Sequence, residues 1–345
     1  MAPRIIDIAK RAHVSPAAVS LALNNKSGLS SEVRLKIVDI AAQMGYKSVP
    51  NNPHLVNEKI TIRLLKIAKH GHIVNERHNP FITEYLEGIE KETKRRKYKL
   101  EVSFYDKVPV EDIIKENAAQ DLDKSASGFV ILGTELDAHE LGFFSELTTP
   151  MVFIDTYFPL SIYDCIDIDN ADGVFRAVEH LYTNGHRSIG LVKSRYETMN
   201  FKMREYGFYD TMEYFSLPVQ KDFIVSVDPA FDKSINDFSK FLDNSKALPT
   251  AFFSMNDMIA YGCIKALLRH GYQVPEDVSI IGFDDLPSSS NLSDPPLTTI
   301  RVSSHQIGCR AVERLSEIIL KPNDGLPEKI LVPNKLVIRQ SVRPI

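Results

Sequence analysis

The chain has 345 residues, 43% hydrophobic and 25% charged, which allows a small head plus one large two-lobed body. Its formal charge is −4, and its three cysteines, Cys165, Cys263 and Cys309, form no close pair or metal spacing; the odd count fits a reducing cytoplasm rather than a disulfide framework. The N-terminus MAPRIIDIAKR lacks an apolar signal core and no run is long enough to span a bilayer, so neither secretion nor membrane insertion is expected.

In chain order, Ile5, Ile8, Ala9 and Ala12 recur at helical spacing and predict a first helix over 5–12, with Lys10 and Arg11 on its other side. His13-Val14 forms the turn, with His13 in a left-handed conformation that His tolerates better than branched residues do. Ser15 suits the N-cap of a second helix and Pro16 its first position, where a missing N–H costs nothing. Val19 and Leu23 then face the first helix, which leaves Pro16, Ala17, Ala18, Ser20 and Leu21 directed partly outward. After a polar loop, Ser30 caps a third helix whose buried stripe is Val33, Ile37, Ile40, Ala41 and Met44, stopped by Gly45. Through Lys59 there are eight basic residues (Arg4, Lys10, Arg11, Lys26, Arg34, Lys36, Lys47, Lys59) and four acids (Asp7, Glu32, Asp39, Glu58). A basic helix-turn-helix head on an acidic body suits contact with DNA phosphates by the head alone; a solvated helical bundle is the plainer alternative. Residues 47–59 form a hinge or linker in which Pro50 and Pro53 restrict helix formation.

From Ile60 onward, strand-like runs alternate with amphipathic helices. The strands include 60–68, 100–104, 128–132, 151–155, 188–192, 251–254 and 278–283; the helices include 83–96, 174–184, 257–270 and 305–320. The alternation predicts parallel sheets covered on both faces, and the number of strands predicts two doubly wound lobes. Ligands of such sheets bind at the carboxyl ends of strands. That rule selects Asp155, Asn256-Asp257 and Asp284-Asp285, with Arg204 on a nearby helix. Each has a structural alternative: Asp284 capping a turn, Asn256 capping the helix that follows it, and Arg204 pairing with a carboxylate. The loop from Lys69 to His78 carries His70, His72 and His78 without matching cysteine or carboxylate spacing, which favours a loop at the rim of the cleft over a metal site.

The chain shows no phosphate-cradling glycine motif, nucleophile elbow or zinc-protease helix. Asp284 and Asp285 are adjacent and do not by themselves straddle a substrate. An enzyme that processes a sugar or nucleoside, with an incidental helical N-terminus, is the competing class; a sensor whose head binds another protein is a third.

The segment IIDIAKRAHVSPAAVSLALN, followed by QMGY, resembles the head of the lactose/galactose repressor family of bacterial transcription regulators. The likeness continues through NPFITEYLEGIEKE, VEHLYTNGHRSIGLV, PTAFFSMNDMIAYGCIKAL, VPEDVSIIGFDD and DPPLTTIRV, in the family's order. It implies an all-α helix-turn-helix head (1–46), a hinge (47–59) and an α/β body of periplasmic-binding-protein type (60–345). The expected lobes are 60–160 plus 298–322, and 161–297 plus 323–345.

The resemblance further implies a cytoplasmic homodimeric repressor that binds a near-palindromic double-stranded operator and needs no metal or cofactor. A small-molecule effector, usually a sugar, binds between the lobes; no trailing heptad segment follows Ile345, which favours a dimer over a tetramer. By position, DNA contacts fall to Arg4, Ile6, Ser15, Pro16, Ala17, Ala18, Ser20, Leu21, Asn24, Ser30, Arg34, Tyr46 and Leu55, and effector contacts to Phe81, Asp155, Arg204, Phe231, Asn256 and Asp284. Four departures stand out: His13 for Gly, Ala18 for Thr, Arg4 for a capping Thr, and Leu21 where many members carry Arg. Leu offers apolar contact only, so direct base readout is thin and operator shape carries more of the specificity. Leu55 holds the position of the family's minor-groove Leu wedge, yet the prolines before it fit a plain linker equally well.

Overall fold

The computed structural model describes residues 4–23, 33, 36–37, 40–41, 44, 60–69, 79–121, 125–286, 294–321 and 326–345. The chain divides into two compact units, 1–59 and 60–345.

In the first unit, α1 (Ile5–Ala12) and α2 (Pro16–Leu23) flank the turn. His13 adopts φ 56°, ψ 43°, the expected left-handed cap. Ser15 Oγ accepts the Ala18 N–H at 3.1 Å, as its N-cap assignment requires. Arg4 precedes α1 where a hydroxyl cap is usual, and Asp7 supplies the reciprocal contact instead: its carboxylate accepts the Arg4 N–H at 2.9 Å. Ile8, Ala9, Ala12, Val19 and Ala22 bury against Ile37 and Ala41 of the third helical stretch, with Val33, Ile40 and Met44 half-buried around them. A core this small is closed by three helices packing their apolar stripes together.

The second unit contains a six-stranded parallel sheet of order β11-β5-β4-β3-β1-β2. Its strands are β1 (Thr61–Ala68), β2 (Lys99–Asp106), β3 (Gly128–Leu132), β4 (Met151–Ile154), β5 (Asp164–Ile168) and β11 (Lys329–Val332). A four-stranded parallel sheet, β7-β6-β8-β9, joins β6 (Ile189–Ser194), β7 (Ile224–Val227), β8 (Ala251–Ser254) and β9 (Ser279–Ile281). A two-stranded antiparallel ribbon of β10 (Thr299–Arg301) and β12 (Lys335–Val337) completes the strands.

Helices α3 (Asn79–Arg96), α4 (Val110–Asp121) and α9 (Ser304–Leu320) accompany the first sheet. Helices α5 (Asn170–Thr183), α6 (Met199–Tyr214), α7 (Phe231–Asn244) and α8 (Asp257–Arg269) accompany the second. Helices α3 and α9 cross closely because Gly88 and Gly308 meet there: a Cβ on Gly88 would collide with the His305 carbonyl, and one on Gly308 with the Tyr85 carbonyl.

Three of the expected lobe boundaries are corrected. Strands β5 and β11 belong to the first sheet, so 164–168 and 329–332 leave the second lobe. Strand β10 leaves the first: Thr298 bridges Ile281, and Arg301 bridges Asp284 at the end of the second sheet. Alternating runs reveal strands but not their neighbours, and neighbours decide the lobe. Strand order reverses between β1 and β3 in one sheet and between β6 and β8 in the other. Both switch points open toward the carboxyl ends of the strands, where crevices form.

Candidate DNA-binding and effector sites

On the head, Pro16 and Ala17 are exposed and Ser20 and Leu21 are half-buried, and at helical spacing these four share one face of α2. Arg4, Ser15, Lys10 and Arg11 are exposed, and Ile6 stands 55% exposed beside them; Ala18 is half-buried. The Ser15 oxygen is taken up in capping, but a hydroxyl can still donate its hydrogen to a phosphate. Asn24, Ser30, Arg34, Tyr46 and Leu55 lie outside the described residues, as do the prolines of the hinge and the three histidines of 70–78. Among the described residues no three His, Cys, Asp or Glu side chains are grouped to hold a metal ion.

In the body, the residues at the strand ends meet in one buried polar network. Asp155 follows β4 in the left-handed region, φ 57°. Its carboxylate accepts the Tyr85 hydroxyl at 2.8 Å, the Asn200 amide at 2.9 Å and the Thr134 hydroxyl. Asn200 belongs to α6, so this bond runs from the second lobe to the first. The Asn200 side-chain oxygen accepts from Asn170 at 2.8 Å, and the Asn170 oxygen accepts from Arg204 Nε at 2.9 Å.

Arg204, 3% exposed, uses its remaining nitrogens on the Met255 carbonyl at 2.6 Å and on Asp284. Its Nη2 lies 3.0 Å from Asp284 Oδ1, close enough for an ion pair but off the line of a hydrogen bond. Its guanidinium also stacks on the Phe283 ring, 3.8 Å from the centroid. Asp284 itself sits at φ 108°.

Burial dominates the electrostatics. It pushes the Asp284 carboxyl up to about 6, with Arg204 opposing and Asp155 reinforcing. Burial raises Asp155 too, against the hydrogen bonds from Thr134 and Tyr85. Asp257, beside the site, is held well above the carboxylate range by burial and then by Asp284; it accepts from Thr299 Oγ1 at 2.5 Å and from the Leu286 N–H at 3.0 Å.

Asn256 performs the capping its position suggested, accepting the Ile259 N–H at 2.9 Å, which leaves its amide nitrogen for other work. Phe231 departs from the sequence expectation. It opens α7 and lines a separate cavity with Tyr261, Leu268 and Val274, whose wall includes none of Asp155, Arg204, Asn256 or Asp284. Phe81 falls in the first turn of α3, and its side chain lies outside the described residues.

Sequence reasoning missed Tyr85, Thr134, Asn170 and Asn200. The strand-end rule would have found Thr134 after β3 and Asn170 after β5. Tyr85 and Asn200 sit on helices and carry no such signal.

Two family models match the chain: "Bacterial regulatory proteins, lacI family" over residues 4–51, and "Periplasmic binding protein-like domain" over residues 178–342. The HTH-type transcriptional repressor PurR of Haemophilus influenzae (strain PittEE) is 30% identical over 345 residues, covering 99% of both chains. The chain belongs to the lacI family of bacterial regulatory proteins. It is accordingly a DNA-binding transcriptional repressor, not an enzyme. The ribose operon repressor of Haemophilus influenzae is 27% identical over 97% of each chain. Among solved structures, the lac repressor dimer bound to operator and the anti-inducer ONPF matches with a TM-score of 0.71 at 23% identity, covering 99% of this chain and 100% of that one. The transcriptional regulator CelR in complex with cellobiose also gives 0.71, at 20% identity over 98% of this chain and 99% of that one. These two likenesses are of fold. No helix of this repressor, among the described residues, is long and apolar enough to cross a membrane.

Proposed function

We propose that this repressor works in the cytoplasm as a homodimer on a near-palindromic operator, and that a hydroxyl-rich small molecule in the cleft controls its affinity. Each head places α2 in the major groove of one half-site, with Ala17 and Leu21 toward the bases and Arg4, Ser15 and Ser20 toward the backbone. In this reading Asn24, Ser30, Arg34 and Tyr46 add backbone contacts, and Leu55 enters the minor groove.

The observation that carries the effector half is the buried row Asp155–Asn200–Asn170–Arg204–Asp284, which ties the ends of both sheets together. Carboxylates accept from sugar hydroxyls, the amides do both, and the Arg204 fork fixes an oxygen. A ligand entering this row exchanges interlobe bonds for its own, which biases one lobe arrangement over another and thereby the spacing of the heads. A purine nucleoside is the second reading within the family.

The test is fluorescence anisotropy of the full-length protein on palindromic and random duplexes, over a salt series, with a sugar and nucleoside panel. Preference for a palindrome, affinity that falls steeply with salt, and a shift caused by a panel member are expected. No palindrome preference under any condition would overturn the DNA half, and no response to either class of compound would overturn the effector half.

A further inference from the structure

Asp167 takes no part in the network just described, yet it lies beside it. It occupies β5, where Cys165 and Asp167 alternate with Ile166 and Ile168, and all four are buried. Its exposure is 0%, and neither carboxyl oxygen has a hydrogen-bond partner. Strand β5 runs beside β4, where Ile154 pairs with Ile166 and the Asp155 N–H donates to the Ile166 carbonyl at 3.2 Å, so Asp167 stands next to Asp155 in the sheet. Three carboxyl groups, Asp155, Asp167 and Asp284, thus share one region with a single guanidinium acting on each of them.

That guanidinium is committed to Asp284, Asn170 and the Met255 carbonyl. The donors to Asp155 are two hydroxyls and an amide, all neutral. A buried carboxylate without a counter-charge is expensive, so burial favours the neutral form of all three acids, and a cation entering the site would let them ionise.

We propose that the effector carries a protonated amine on its hydroxylated frame, an amino sugar or amino polyol, and that Asp167 together with Asp155 receives the ammonium. This rests on the hydroxyl-rich effector reading above and narrows it. An ammonium offers three donors and one charge, which answers both empty oxygens of Asp167 and the neutral surroundings of Asp155. A neutral sugar brings no charge that would let either acid ionise. Burial and the neighbouring Asp155 already hold the Asp167 carboxyl well above the usual range when no cation is present.

The experiment is calorimetric titration of the full-length protein with glucosamine, galactosamine and mannosamine, each beside its hydroxyl parent and its N-acetyl derivative. At least one amine should bind tenfold or more tightly than both of its neutral counterparts. Asp167→Asn should erase that preference while the parent sugar still binds. Asp167→Leu controls for folding: removing an unpaired buried acid should leave Tm unchanged or raised. Equal or tighter binding of every neutral counterpart, or a preference that survives Asp167→Asn, would overturn the proposal and leave the hydroxyl-rich reading standing. Binding by no compound of the three sets would sink that reading, and this proposal with it.

Discussion

Asp284 gives a stability prediction with a definite sign. Its carboxyl is pushed up to about 6 in the folded chain, chiefly by burial, against an ordinary value of 3.8. A raised acid stabilises the fold while protonated, and that contribution is lost as pH rises through the folded value. At about 1.4 kcal/mol per pH unit, ionising Asp284 costs the folded state about 3 kcal/mol by pH 8, roughly half of it already by pH 5. Asparagine has the shape of the protonated acid, tolerates the φ of 108° at this position, and can still turn its oxygen toward Arg204. Asp284→Asn should therefore gain on the wild type by about 1.5 kcal/mol between pH 5 and pH 8. Loss of the Asp284 charge also relaxes Asp155 and Asp257, which pushes the same way. The chain has no tryptophan, so scanning calorimetry of the body transition at the two pH values is the suitable assay. A variant that tracks the wild type at both pH values, or loses ground at pH 8, would show that Arg204 fully compensates the charge and that burial does not dominate here.

Two further substitutions test local claims. Ser15→Ala removes the cap of α2 and should cost the head about 1 kcal/mol, seen as faster amide exchange in residues 17–19 and weaker operator binding; Ser15→Thr should restore most of both. Gly308→Ala drives a methyl into the Tyr85 carbonyl at the α3–α9 crossing and should lower body stability by about 1–3 kcal/mol in a urea titration, since a backbone contact yields less readily than a side chain.

The first two helices of the head and the turn between them were readable because their determinants are local. The caps, the left-handed turn at His13 and the helical spacing of Ile8, Ala12 and Val19 each depend on neighbours within a few positions. The body was readable as strands and helices and as a set of strand-end polar groups, which is why Asp155, Arg204 and Asp284 meet in one network. Its partnerships were not. The placement of β11 in the first sheet depends on a chain that returns after more than a hundred residues, and β5 joins that sheet beside β4; no periodicity encodes either pairing. Tyr85 and Asn200 join the network from helices whose rotation about their axes is set by packing, such as the glycine crossing of α3 and α9. Asp167 was hidden for another reason: an acid inside an otherwise apolar strand reads as an outward position, whereas the sheet is covered on both faces.

The same network limits how an effector can act. Its bonds are buried, and those from Asn200 to Asp155 link the second lobe to the first, so they are lost if the lobes separate. A bond of this kind contributes only about 1 kcal/mol net, but leaving a buried carboxylate unmatched costs more. A ligand that merely displaced Asn200 from Asp155 would therefore bind poorly, because it would strand the acid. A ligand that supplies its own donors to Asp155 removes the penalty and needs no Asn200, which frees the two lobes to adopt a second arrangement. The energy available for switching is then the difference between the ligand's bonds and the interlobe bonds it replaces, and the effector must match the acids to be a switch at all.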